Sequence, residues 1–235
     1  MTALKNIKFY ATHPHSCSYL PNQQATTLFM DTDKPLSLEL YSQLADIGFR
    51  RSGSHIYRPH CISCKACIPA RIPVAEFKFS RSQKRVWKRN QDLTISRHKP
   101  EMNHEIYALY EHYISVQHKD GDMYPPSVEQ FNGFLIDSPS FCSFYHVRLD
   151  GQLIAVAVVD MLQNSLSAIY TFYHPDFNKR SLGRFCILWQ IMKTQRLEMK
   201  YLHLGYWVKG CKKMDYKMDY RPIELLIDNH WSRLL

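Results

Sequence analysis

QLIAVAVVDMLQNSLSAIYTFYHPDFNKRSLGRFCILWQIM, running from Gln152 to Met192, carries two strands, a turn, a loop and the start of a helix without a break. Leu153 to Val159 has no polar alternation and is strand-length, so it predicts a strand buried on both faces. Gln163-Asn164 is a turn, and Leu166 to Tyr173 predicts a second strand. His174 to Gly183 then forms a loop that opens a long helix over Arg184 to Met199. Upstream, Phe141 to Leu149 predicts a strand that ends at Asp150-Gly151, a hairpin signal. Downstream, Tyr201 to Val208 predicts one more. Two helices precede this block: Glu101 to Lys119, rich in tyrosine, and Val128 to Leu135, capped by Ser127. Residues 101–235 therefore predict an α+β domain, with an antiparallel or mixed sheet flanked by helices.

Residues 1–100 differ in character. Short strands are expected around Pro21-Asn22-Gln23-Gln24, with one over Ala25 to Met30 and a turn or helix start at Asp31 to Pro35. A helix follows over Leu38 to Ile47 and stops at Gly48. A hairpin is expected about Ser52-Gly53-Ser54, and Cys67 to Val74 is extended because each proline disfavours helix in its predecessor. Ser80 caps a helix in which Arg81, Lys84, Arg85 and Lys88 share one face. The net charge is +9, and residues 1–101 hold 16 Lys and Arg against 7 Asp and Glu, whereas the remainder balances at 14 and 14. A smaller basic α+β domain at 1–100 thus precedes the larger neutral one. Such one-sided charge points to a polyanion, most simply nucleic acid. The alternative is charge carried for solubility alone.

No apolar run is long enough for a membrane span, and the N-terminus has no apolar core of a secretory signal. Seven cysteines in such a chain are expected to be reduced thiols in the cytoplasm. Cys61, Cys64 and Cys67 have two-residue gaps, and with Cys17 they make four candidate thiolate ligands for zinc or an iron–sulfur cluster. The alternative is a reduced cysteine loop without metal. Cys142 and Cys186 read as core residues.

The element order from residue 101 onward resembles the GNAT acyltransferase superfamily. Members hold an anionic cofactor at a helix N-terminus with an (Arg/Gln)-x-x-Gly-x-(Gly/Ala) loop. Arg180-Ser-Leu-Gly183 matches its first half, but Phe185 stands where a second small residue belongs. This departure suggests an acyl carrier other than coenzyme A. Over its whole length the chain also resembles the arginyl-tRNA–protein transferase family. The residues that carry this are Cys17-Ser-Tyr-Leu20, Gly48-Phe-Arg-Arg51, Tyr57-Arg-Pro59, Cys67-Ile-Pro-Ala-Arg71, Phe79-Ser-Arg-Ser-Gln83 and the run from Tyr201 to Lys217. Its short form is similar to the bacterial branch, which moves leucine from leucyl-tRNA to proteins beginning with Asp or Glu and marks them for N-end-rule degradation.

The resemblance implies an aminoacyl-tRNA donor, an acidic N-terminus as acceptor and no cofactor needed for transfer. The ester is already activated, so the enzyme must align the two ends, remove a proton from the amine and stabilise the oxyanion. Candidate bases are Asp160, Tyr170, Asp215 and Tyr216. Reading Asp or Glu needs cations, best the arginine fork, which points to Arg50, Arg51, Arg58 and Arg71. Arg81, Lys84, Arg85, Lys88, Lys212, Lys213 and Lys217 are expected on tRNA, with Tyr206 and Trp207 stacking its terminal adenine. In relatives the N-terminal region carries C-x-x-C and C-C pairs. Here Leu20 and Ala66 replace one member of each, and Cys61 and Cys64 are additional. A monomer is expected. Competing readings are arginyl transfer to the same acceptors, a coenzyme A-dependent N-acetyltransferase, and a non-catalytic zinc-bearing RNA-binding module.

Overall fold

The computed structural model describes residues 7–31 and 36–234. The turn read at Asp31 to Pro35 falls largely outside them. Near the N-terminus β1 (Phe9–Ala11), β4 (Thr27–Met30), β5 (Arg50–Ser52) and β6 (His55–Pro59) form an antiparallel sheet in the order β1-β4-β6-β5. A small ladder of β2 (His15–Ser16) and β3 (Gln24–Ala25) lies between β1 and β4 in sequence. Helix α1 (Leu38–Asp46) starts where Ser37 accepts a hydrogen bond from the Leu40 amide and buries Tyr41, Leu44 and Ala45. The chain then reverses at Gly48, whose φ of +90° suits glycine; a Cβ there would lie 2.8 Å from Pro69.

Eight strands make the main sheet. They are β7 (Cys67–Pro73), β8 (Thr94–His98), β9 (Cys142–Leu149), β10 (Gln152–Met161), β11 (Ser165–Tyr173), β12 (Tyr201–Val208), β13 (Ile223–Ile227) and β14 (His230–Leu234). Their order is β14-β13-β7-β12-β11-β10-β9-β8, and every pairing is antiparallel except β11 with β12. Helices α2 (Arg81–Arg89) and α5 (Leu182–Arg196) cover one face, packing on Ile154, Ala157 and Val159 of β10. Helix α3 (His104–Gln117) and the shorter α4 (Val128–Phe131) cover the other, on Val156, Val158 and Phe172. Burial on both faces is the reason β10 reads as an unbroken apolar run.

Two strands go beyond the expectations from sequence. Thr94–His98 has only exposed and half-buried residues at the sheet edge, and His230–Leu234 is the same at the opposite edge. Both lack the apolar run that marks an inner strand. The division at residue 100 also meets a structural fact. β7 lies between β13 and β12, and β8 forms the β9 edge, so the main sheet draws strands from both sides of that division.

Candidate active site

Strands β11 and β12 pair only through Ser165–Tyr201, Leu166–Leu202 and Ser167–His203. Beyond that register β11 continues to Tyr173 and β12 to Val208 without bonding to each other. Parallel neighbours that separate leave carbonyls and amides without ladder partners, and something polar must meet them.

Arg50 of β5 fills that role. Its Nη2 donates to the Ala168 carbonyl at 3.0 Å. Gly205 sits beside it at φ +78°, a left-handed backbone conformation that favours glycine. Arg50 Nη1 is buried and has no hydrogen-bond partner. Lys217 is the second cation, 4% exposed, and donates to the Tyr206 carbonyl and to Met214 Sδ. Burial, and then the Arg50 guanidinium, pull its ammonium down to about 8. Among the described residues no carboxylate pairs with either side chain. An unpaired buried cation costs several kcal/mol, so this pair is an electrostatic anomaly of the fold.

A cluster of tyrosines adjoins it. Tyr113 of α3 packs on Tyr173 with ring centroids 4.8 Å apart and on Tyr170 at 6.3 Å. Tyr216, 39% exposed, lies near enough to push the Tyr113 hydroxyl up further. Burial is the main cause of the high Tyr113 and Tyr170 values, so both hydroxyls stay neutral. The Tyr170 hydroxyl is buried without a partner. His118 Nε2 lies 3.0 Å from Tyr113 Oη, and burial, then the Lys213 ammonium, hold its imidazole below the usual range. Lys213 in turn pairs with Asp120 at 2.6 Å, tying the segment Lys212–Asp219 to the loop after α3. Lys217 Nζ stands 5.5 Å from the centroid of the Tyr216 ring, which links this cation to the tyrosine cluster.

Several expected site residues are engaged otherwise. Asp160 is fully buried and receives Arg51 Nε at 2.7 Å and Nη2 at 2.8 Å, a fork that occupies both side chains and leaves neither as base or acceptor reader. Arg71 is stacked between Tyr201 and Trp231, 3.6 and 4.0 Å from their ring centroids, with Nε on Glu224 at 2.8 Å. Arg58 donates to the Ile47 carbonyl. Tyr206 is 5% exposed and its hydroxyl bonds to the Gly48 carbonyl at 2.8 Å, which takes it away from base stacking. Trp207 is half-buried against Ala70 and Ile223. Lys217 lies inside the protein, where it cannot make the surface contact expected of it. Asp215 and Lys212 are exposed. On α2, Arg81, Lys84, Arg85 and Lys88 are all exposed and make no ion pair among the described residues, while Gln83 and Val86 face inward. Tyr113, Tyr173 and His118 belong to the site although sequence reasoning does not single them out. The available signal is the density of tyrosine between residues 107 and 113.

The loop into α5 is closed to a pyrophosphate. Arg180 forks onto Asp92 at 2.8 and 2.9 Å, and Phe185 is buried 5.6 Å from Trp87. Cys67 packs beside Tyr206, Val208 and Cys211, close to Lys217. Cys67 is pushed up to about 12 by burial and then by Cys17, Cys61, Cys64 and Cys211. Cys17 Sγ accepts hydrogen bonds from the Tyr19 and Leu20 amides. The four thiols expected as a ligand set do not converge, since no three of their sulfurs lie within 4.8 Å of one another.

The fold resembles that of FemX, which superposes with a TM-score of 0.50 at 7% identity, covering 87% of this chain and 81% of that one. Family models described as "Arginine-tRNA-protein transferase, N terminus" and "Arginine-tRNA-protein transferase, C terminus" match residues 15–85 and 105–227. The chain belongs to the arginine-tRNA-protein transferase family. Among its relatives, an aspartate/glutamate leucyltransferase of Stutzerimonas stutzeri (strain A1501) is 58% identical over 234 residues, covering 100% of both chains. Another of that name, from Pseudomonas fluorescens (strain Pf0-1), is 58% identical over 231 residues, covering 98% of each.

Proposed function

We infer that the protein transfers leucine from leucyl-tRNA to the α-amino group of proteins that begin with Asp or Glu, and so marks them for degradation. Full-length likeness to the two leucyltransferases supports leucine as the acyl group. The observation that carries the acceptor is the buried, counterion-free pair of Arg50 and Lys217 beside the tyrosine cluster. An Asp or Glu side chain supplies the carboxylate that this pair lacks.

With the side chain anchored there, the α-amine lies among Tyr113, Tyr170 and Tyr216. The amine attacks the leucyl ester carbonyl, the C–N bond forms, and the bond to the ribose oxygen breaks. The proton lost by the amine passes to His118 through the Tyr113 hydroxyl, and the imidazolium returns it along the same path to the ribose oxygen as that leaves. The unpartnered Tyr170 hydroxyl donates to the oxyanion. Arg81, Lys84, Arg85 and Lys88, with Lys212, contact tRNA phosphates. Cys17, Cys61, Cys64 and Cys67 would have to draw together to supply thiolates to zinc or an iron–sulfur cluster, and no step of the transfer is routed through such a group. The leucyl-tRNA pool sets a cytoplasmic location. No helix of the described residues is long and apolar enough to cross a membrane. A monomer suffices for the site.

One assay tests the reading. Peptides beginning with Asp, Glu, Asn or Gln are incubated with labelled leucyl-tRNA, arginyl-tRNA or acetyl-coenzyme A. Label is expected only from leucyl-tRNA and only on the acidic peptides. Transfer from acetyl-coenzyme A alone, or equal labelling of the amide peptides, overturns it. Metal analysis of anaerobically purified protein decides the thiol site.

A further inference from the structure

Two groups of three metal-type donors lie within 4.8 Å of one another among the described residues: His98, Glu101 and His146; and His112, His174 and Asp176. An imidazole binds an ion along its in-plane lone pair. His98 and His146 are stacked, with centroids 3.9 Å apart and planes only 13° from parallel, so no point lies in both ring planes near both nitrogens. That pair is a packing contact. His112 and His174 differ: their centroids are 5.0 Å apart and their planes cross at 59°, so their lone pairs can converge.

The spacing also fits. His174 Nδ1 and Asp176 Oδ2 are 3.9 Å apart. That is too long for a hydrogen bond. Two ligands bonded to one tetrahedral zinc-class ion at roughly 2.0–2.2 Å stand about 3.3–3.6 Å apart, so a shift of a few tenths of an ångström brings this pair to bonding distance. His174 Nδ1 is shielded from solvent and has no hydrogen-bond partner. The ring is held in place because the His174 amide donates to the Ile154 carbonyl at 2.8 Å. A groove of about 330 Å³, lined by His104, Ala108, His112 and His174 among others, opens beside the donors and leaves room for water as a fourth ligand.

We propose that His112, His174 and Asp176 form a binding site for a divalent ion of the zinc class. Two imidazoles and one carboxylate with an open position is a donor set suited to zinc, cobalt or nickel. The ion joins the middle of α3 to the loop between β11 and α5, across the rim of the tyrosine cluster. It is separate from Cys17, Cys61, Cys64 and Cys67 and does not rest on the proposed chemistry.

The full-length protein, stripped with a chelator, is titrated with cobalt(II) and with zinc(II). One equivalent is expected to bind with weak d–d absorption and no thiolate-to-cobalt charge-transfer band, beyond any equivalent that shows that band. His112→Ala, at an exposed position that leaves packing intact, is expected to weaken this equivalent at least tenfold, as is Asp176→Asn. Zinc is expected to raise the melting temperature of the parent protein and not that of His112→Ala. Absence of a thiolate-free equivalent up to millimolar metal overturns the proposal. So does unchanged affinity in both variants.

Discussion

Arg51 and Asp160 are neighbours in space although 109 positions apart, and their buried fork joins β5 to β10. Arg50, one residue earlier, has no such partner. The contrast separates a cation paired within the fold from one that has no carboxylate partner among the described residues. Arg50→Met keeps the volume and removes the charge. Its kcat/KM on Asp and Glu peptides is expected to fall about tenfold to a hundredfold, the value of a charged hydrogen bond. Turnover of Asn and Gln peptides should barely change, and an equal loss on all four peptides removes Arg50 from acceptor reading.

Lys217 makes a prediction about stability with a definite sign. Its ammonium releases a proton near pH 8 in the folded protein and near the ordinary 10.5 when unfolded. Between those values the unfolded chain holds more protons, so this group's contribution to stability rises with pH. The penalty is fully present below pH 8 and gone above 10.5. Lys217→Met is therefore expected to be more stable than the parent at pH 7, by about 1–3 kcal/mol. Chemical denaturation at a series of pH values should show the difference shrinking through pH 8–10.5. A variant less stable at pH 7 refutes the assignment of Lys217 as a buried, uncompensated charge.

At the scale of elements, α2 is the clearest interaction surface. A capping box at Ser80 and Gln83 starts it, and Gln83 and Val86 fix which side is buried. Four cations then face solvent together. Charge reversal at Lys84, Arg85 and Lys88 is expected to weaken leucyl-tRNA binding and to flatten the dependence of log K on log salt. The slope should fall by about 0.7–0.9 for each phosphate that the helix no longer neutralises. The comparison is made between low and moderate salt with the same tRNA. An unchanged slope removes α2 from the footprint. The edge strands β8 and β14 make the opposite point. Neither is legible in the sequence, because only one side of an edge strand needs to be apolar.

For the whole molecule, the decisive fact is where β7 lies. Removing it from the order β13-β7-β12 leaves a gap inside the main sheet rather than a trimmed edge. A fragment of residues 101–235 is expected to lack cooperative unfolding and to aggregate. The intact chain should unfold in a single transition by both fluorescence and circular dichroism. A soluble fragment with its own sharp transition contradicts this.

The sequence alone determined the helices with clear caps, the inner strands β9 to β12 and the concentration of positive charge before residue 102. Each rests on local physics: apolar periodicity, a capping side chain, a count of charges. Resemblance carried by ordered motifs pointed to the family. Tertiary structure alone decided which cations are spent and which are free. Arg50 and Arg51 are adjacent and chemically identical, and only the presence of Asp160 beside one and the parting of β11 and β12 beside the other separates them. It likewise moved Lys217 and Tyr206 indoors and assembled Tyr113, His118, Tyr170, Tyr173 and Tyr216 from distant parts of the chain. Burial and pairing depend on contacts between residues far apart in sequence, which no local pattern encodes.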